Sequence, residues 1–215
     1  MNKRISLSVL LLLMSFNLMA APSSFDEQLL SIQERWAQIN YETPEKQREK
    51  AFETLAVEAE RFIQAHPSRP EPLIWKGIVV STWAGARGGL GALGLVKEAR
   101  SLFEQSLDLD PEALSGSAYT SLGSLYYQVP GWPIAFGDDK KARRLLSQAV
   151  TINPDGIDSN YFYGDYWLEE GDYAKAKVYF EKAMQAAPRP SRPIADKGRR
   201  EEIMAKLDAV AKKLH

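Results

Sequence analysis

Between residues 67 and 188, small and aromatic residues recur at fixed steps, and this recurrence constrains the fold more than any other feature of the chain. The clearest unit is SNYFYGDYWLEEGDYAKAKVYFEKAMQAAP, Ser159 to Pro188. Tyr163, Gly164 and Trp167 mark a first helix. Gly171-Asp172 makes a turn, with Asp172 placed to cap a second helix. Ala176, Phe180 and Ala183 then return on one face of that helix, and Pro188 stops it. Upstream, Tyr119, Leu122, Gly123 and Tyr126 are followed by Ala142, Leu146, Ala149 and Pro154 in the same order, and Pro154 precedes Gly164 by ten residues. A looser unit has Gly77 ten residues after Pro67, then Ala99, Phe103 and Pro111. Helix pairs of this kind cannot bury their apolar faces alone; they stack, and the stack supplies one continuous core.

The order resembles the tetratricopeptide repeat, W-x2-L-G-x2-Y, then A-x3-F, then P. Gly164, Ala176, Phe180 and Pro188 fall at the family's spacings, with Trp167 in the tyrosine place and Asn160 and Tyr163 where tryptophan and leucine would stand. The resemblance implies an all-α helical-hairpin solenoid whose first helices line a concave side. Counted from each glycine, the residues implied to face that side include Ile74, Ile78 and Ser81, then Thr120, Ser124 and Tyr127, then Tyr161, Asp165 and Leu168. Some relatives hold a partner's carboxylate tail there with lysine and asparagine; the matching places here hold Tyr161 and Asp165, which argues against such a clamp.

Two units depart from the pattern at the same place, the turn between their own two helices. The stretch from Tyr126 to Ala142 is seven residues longer than the pattern allows, around Pro130-Gly131-Trp132-Pro133-Ile134-Ala135-Phe136. The looser unit is about ten residues too long, around Ala84 to Gly94. Adjacent insertions on one edge of a solenoid often build a binding face. Trp132 and Phe136, stiffened by two prolines, either wall a ligand cavity or tuck onto the solenoid edge. Arg87 is the one cation placed to meet an anionic ligand in the other insertion.

The flanks complete the architecture. Lys3 and Arg4, the apolar run from Ile5 to Met14 and the small residues Ala20 and Ala21 have the layout of a secretory signal peptide over residues 1–20. That run is shorter than the roughly 20 residues a membrane span needs. The expected mature protein is therefore periplasmic and lacks stable membrane insertion. Residues 21–66 form a helical hairpin, with Phe25, Leu29, Ile32, Trp36 and Ile39 on one helix, a start signal at Thr43-Pro44, and Phe52, Leu55, Ala56, Ala59, Phe62 and Ile63 on the next. About three irregular repeats occupy 67–188. Residues 189–215 form a proline-stiffened linker and a C-terminal capping helix, with Ile203, Met204, Leu207, Val210 and Leu214 as its apolar face and Arg199, Arg200, Glu201, Lys206, Lys212 and Lys213 on its outer face.

Several chemistries are set aside. The chain has no cysteine, so disulfides, thiolate metal sites and a cysteine nucleophile are excluded. Its formal charge of −1 carries no basic stripe that would suit nucleic acid. Gly89-Leu90-Gly91-Ala92-Leu93-Gly94 spells a dinucleotide fingerprint without the preceding strand that motif requires. Asn153 to Asp158 has the oxygen ligands of a calcium loop without its spacing, and reads as a turn with Asp158 as a helix cap; Gly137-Asp138-Asp139 reads as a helix start. His66 and His215 sit in no catalytic constellation. Arg189 to Pro193 and Arg199-Arg200 form a locally basic link with acidic neighbours.

Phe136 to Leu146, FGDDKKARRLL, also resembles a helix start in the T-component of periplasmic TRAP transporter systems. The sequence thus leads to a non-enzymatic adaptor or scaffold with no cofactor and no metal, binding a protein partner in the cell envelope through its groove and inserted loops. The alternative is a small-molecule-binding accessory subunit of such an importer, holding a small apolar or anionic ligand.

Overall fold

The computed structural model describes residues 24–214, so the leader read at residues 1–20 lies outside the described residues. The described chain is a succession of helices: α1 (Phe25–Tyr41), α2 (Glu45–Ala65), α3 (Pro70–Arg87), α4 (Ala92–Leu109), α5 (Ala113–Gln128), α6 (Asp139–Ile152), α7 (Ile157–Glu169), α8 (Tyr173–Gln185) and α9 (Pro193–Leu214). The first eight pair as antiparallel hairpins, α1/α2, α3/α4, α5/α6 and α7/α8. The architecture is an all-α, tetratricopeptide-type helical-hairpin solenoid.

The repeated glycines explain how each hairpin closes. A Cβ on Gly77 would lie 2.5 Å from the Phe103 ring, on Gly123 2.7 Å from Leu146, and on Gly164 2.9 Å from Phe180. The first helix of each pair therefore carries no side chain where the second inserts its largest one. Phe103, Leu146 and Phe180 are fully buried as a result, and so are Ala99, Ala142 and Ala176 one turn before them. Caps set the helix starts. Ser24 and Glu27 form a capping box on α1, while Asp138 and Asp172 each accept a backbone N–H of the helix they begin. Thr43 does not cap α2; Pro44 holds that position, and the Thr43 hydroxyl turns back to the Gln38 carbonyl instead. Lys76 on α3 reaches Glu60 of the preceding hairpin at 2.7 Å and Glu98 of its own partner helix α4 at 2.8 Å.

Two departures from the repeat pattern are absorbed differently. The long stretch from Ala84 to Gly94 is not an inserted loop. Both helices lengthen into it, α3 through Arg87 and α4 from Ala92, leaving only Gly88 to Gly91 as the turn. The second insertion is a loop, Val129 to Asp138, which leaves α5 and returns to α6. A third departure lies in α5. Pro111 precedes Gly123 by twelve residues rather than ten. The surplus is taken up in a left-handed turn, with φ of 49° at Leu114, 55° at Ser115 and 73° at Gly116. The non-glycine residues in such a turn each cost roughly 1–2 kcal/mol.

The layers are unequal. Inner helices α1, α3, α5 and α7 touch in succession, and the outer helices α2, α4, α6 and α8 pack only against inner ones. The C-terminal helix does not cap an open end. α9 packs on α7 and α8 and then meets α1, so the inner helices close into a ring of five. Gly198 makes the meeting possible, because a Cβ there would fall 2.3 Å from the Tyr41 ring. Ile203 and Val210 of α9 are fully buried in the core, whereas Met204 and Leu214 of the expected apolar face are about half exposed.

Phe180→Ala is expected to cost about 3–5 kcal/mol, the loss typical of a large aromatic truncated in a packed core. The urea midpoint should drop with an unchanged slope; a midpoint within experimental error of wild type would show that the glycine–aromatic contact does not hold the hairpin.

Candidate functional site

The ring of inner helices surrounds a cavity of about 470 Å³. Every inner helix contributes to it: Trp36 and Tyr41 from α1, Trp75, Ile78 and Ser81 from α3, Ser117, Thr120, Ser121 and Ser124 from α5, Asp158 and Phe162 from α7, and Arg199 from α9. The left-handed turn brings Leu114 and Ser115 to the wall, and the proline-rich linker adds Arg189 and Arg192. Aromatic rings form one side. Trp36 and Trp75 meet edge to face at 6.1 Å, and Trp36 meets Tyr41 at 5.9 Å. The Trp36 indole N–H donates to Thr82 Oγ1 at 3.0 Å, tying α1 to α3. Some wall hydroxyls are turned back on their own helices, Ser81 donating to the Ile78 carbonyl and Ser124 to that of Ser121.

Next to them the wall is ionic. Asp158 accepts from Arg199 Nε at 2.9 Å and from Arg189 Nη1 at 2.8 Å. Arg189 Nε also donates to Asp196 at 2.6 Å, and Arg199 Nη1 to Glu202 at 2.5 Å. Burial alone would raise the Asp158 pKa, but the Arg199 and Arg189 guanidinium groups override it and hold the carboxyl well below the usual carboxylate range. Burial pushes the Tyr41 hydroxyl up to about 12, against the opposing pull of Arg199, so it stays protonated at neutral pH. Asp158 is therefore not the cap of α7. Gly156 occupies the cap position and Asp158 sits inside the first turn, where its carboxylate faces the arginines.

Of the residues singled out from the sequence, the ring brings Ile78 to the cavity, together with Ser81, Thr120 and Ser124. Ile74 is fully buried with Ala113 and Ala118 between α3 and α5. Tyr127 donates to Asp165 at 2.8 Å, and Lys206 of α9 reaches the other Asp165 oxygen at 2.6 Å. Tyr161 is buried beneath the Arg199 guanidinium at 4.2 Å. α9 thus covers the concave surface of the last repeat, taking Tyr161 and Asp165 as its own contacts. Arg87 turns away from the ring, pairing with Glu49 of α2 at 3.3 Å and lying over Trp83.

The inserted loop does not roof the cavity. Phe136 folds back, half-buried against Tyr126 at 5.4 Å and beneath Arg100 at 5.0 Å. Trp132 points outward, 89% exposed. Missing from the sequence-derived set were Trp36, Trp75, Asp158, Arg189, Arg192 and Arg199. The Pro-Arg alternation from Pro188 to Pro193 was visible, but nothing in it signalled that the link crosses the mouth of the solenoid. Arg199 was assigned to an outer face because charged residues usually face water; here carboxylates on two helices neutralise it, and it is buried. Among the described residues no helix is long and apolar enough to cross a membrane.

Residues 157–190, which span α7, α8 and the start of the linker, match the tetratricopeptide repeat family. Among solved structures, the chain is similar to a thermophilic tetratricopeptide-repeat protein of Thermus thermophilus, with 20% identity over 86% of this chain and 91% of that one and a TM-score of 0.53. It is also similar to MamA, with 23% identity, 78% and 92% coverage and a TM-score of 0.44, and to MamA of Desulfovibrio magneticus, with 17% identity, 86% and 96% coverage and a TM-score of 0.44. No curated protein matches the chain in sequence.

Asp158→Asn leaves Arg199 buried beside a neutral group and is expected to cost about 2–3 kcal/mol, less than for a fully enclosed pair because Asp158 borders the cavity. The native pKa of Asp158 lies below its unfolded value. Its stabilisation is therefore complete above the unfolded value of about 3.9 and is lost as the pH falls from there toward the native value. Denaturation of both proteins between pH 7 and pH 2 should show a constant gap that narrows below pH 4; a gap independent of pH would remove the ion pair as its cause.

Proposed function

We propose that the protein is a periplasmic scaffold that holds a segment of a protein partner at the centre of its ring of inner helices. A tetratricopeptide-type solenoid presents its inner helices as a binding surface, and in this chain the accessible part of that surface is concentrated in one place. The observation that carries the reading is the convergence of five inner helices on one cavity that keeps hydroxyl and indole groups along its wall. The volume lies in the range of sites that hold small ligands or the end of a chain, roughly 300–1,000 Å³. An extended helix laid along the groove does not fit, because α9 occupies that course. A segment entering by its tip does. Export follows from the secretory leader read in the first 20 residues, with the mature chain beginning at Ala21.

The reading assigns no catalytic role. Asp158 of α7 pairs with Arg189 of the linker and Arg199 of α9, and these ion pairs tie the last helix to the ring.

The test is photo-crosslinking of the exported protein in the periplasm of cells, with a photoreactive residue at Ser117 in the cavity wall or at Lys177 on the outer helix α8. Ser117 is expected to give a discrete adduct that Lys177 does not. The adduct should vanish when Ser121→Trp fills the cavity and persist in Trp132→Ala, whose side chain lies outside it. Equal labelling from both positions, or an adduct indifferent to Ser121→Trp, would sink the proposal.

A further inference from the structure

The arginines of the linker and α9 are not equivalent. Arg189 bridges Asp158 and Asp196, and Arg199 bridges Asp158 and Glu202, so each already has its counter-charge. Arg192 has none. It lines the cavity, forms no salt bridge among the described residues, and its Nε is buried without a hydrogen-bond partner. Its guanidinium lies over the Trp75 ring at 5.0 Å. The Trp75 indole N–H is likewise buried with no acceptor. Two stacked donors at one cavity wall thus lack an acceptor. Burying such donors unpaired costs free energy that a bound acceptor would recover. Burial, with Arg189 alongside, also pulls the Arg192 pKa below its ordinary value, against the opposing effect of Asp158 and Asp196.

The surroundings set the kind of acceptor. A planar guanidinium resting on an indole face is preorganised to present its donor edge to a planar anion. Asp155 and Asp158 also line the cavity, so a group carrying two negative charges would be repelled. Arg192 is the arginine of this wall that forms no direct ion pair among the described residues, and its free donor edge has room for one carboxylate group. Trp36, Ile78 and Phe162 give the wall an apolar patch among its hydroxyls, suited to a compact aromatic or aliphatic body.

We infer that the cavity binds an organic carboxylate, with Arg192 on Trp75 receiving the carboxylate and the Trp36, Ile78 and Phe162 wall receiving the body behind it. The carboxylate belongs either to a free small acid or to the terminus of a partner chain. The inference rests on the cavity being the binding surface, and it differs from a clamp on the repeat helices because its cation comes from the linker.

The test uses the purified mature protein with benzoate, its neutral counterpart benzamide, and a short peptide ending in phenylalanine as the free acid or the amide. Binding is followed by calorimetry and tryptophan fluorescence. Benzoate or the free-acid peptide is expected to bind about tenfold or more tightly than its neutral counterpart. Arg192→Gln should erase that preference while leaving the helical signal and melting temperature unchanged, and Ser121→Trp should abolish binding of every probe. Binding of the free-acid peptide alone assigns the carboxylate to a chain terminus; binding of benzoate assigns it to a small acid. Equal affinity for acid and neutral probes, with Arg192→Gln indifferent, overturns the carboxylate assignment while leaving the cavity as the binding surface. Affinity unaffected by Ser121→Trp overturns the cavity itself, and the absence of binding by either carboxylate overturns the inference.

Discussion

The architecture rests on one contact made three times, a large side chain of an outer helix seated on a glycine of its inner partner. Gly77 with Phe103, Gly123 with Leu146 and Gly164 with Phe180 bring the two axes of a hairpin closer than any side chain would permit. Burying each phenylalanine contributes about 1.5–3 kcal/mol, and the same contact fixes the register of the pair. Because the outer helices do not pack on one another, continuity between hairpins passes through the inner layer. A layer packed more closely inside than outside must curve, and in this chain the curvature continues until the last helix finds the first.

That meeting changes what the C-terminal helix does. A helix at the free end of a solenoid needs one apolar and one polar face. α9 instead touches α8 and α7 on one flank and α1 on another, so residues on several of its sides are covered. Gly198 admits the Tyr41 ring, Asp196 holds Arg189, and Arg199 reaches across to Asp158. Ionic contacts at the linker lock the ring, and Ile203 and Val210 bury the apolar side of α9 in the core. A paired charge at such a junction contributes less to net stability than to register, since its desolvation offsets much of its attraction. Arg189, Arg199 and their carboxylates therefore specify where α9 docks more than how tightly.

The repeat was legible because it lies in residues whose size is itself the constraint. Glycine, alanine and phenylalanine at the hairpin contact cannot be exchanged for others without a clash or a void, so their spacing shows in the sequence and forecasts the all-α solenoid. The cavity was less legible because its walls come from positions where the repeat tolerates many residues. Ile78, Ser81, Thr120 and Ser124 followed from the repeat's geometry. Tyr161 and Asp165 followed from the same geometry but are claimed by α9, a long-range contact that no local period reports. Arg199 misled for a related reason: a helical wheel puts charge toward water, and only the fold supplies the carboxylates that let it be buried. The stretch from Ala84 to Gly94 misled in the opposite direction. Five glycines suggested a loop, yet Gly85 and Gly94 sit inside helices with open space around them, where glycine costs only about 1 kcal/mol relative to alanine.

Closure also decides what kind of occupant the inner surface can select. An open groove reads a long segment through many weak contacts spread along it. A ring with a cavity at its centre reads one end of its occupant through a few groups, so each group matters more. The polar donors left over after the ring has paired its charges then define the chemistry. Here the surplus is small and localised, with Arg192 and the Trp75 indole N–H close together on one wall. The left-handed turn at Leu114 to Gly116 belongs to the same design. Two extra residues, held in an unfavourable backbone conformation, carry Ser115 and Ser117 to the wall beside the last turn of α1 and the start of α7. Strain of this kind persists only where the surroundings over-determine it, and the packing of Gly116 against Ile152, at 3.2 Å from where a Cβ would stand, supplies that determination.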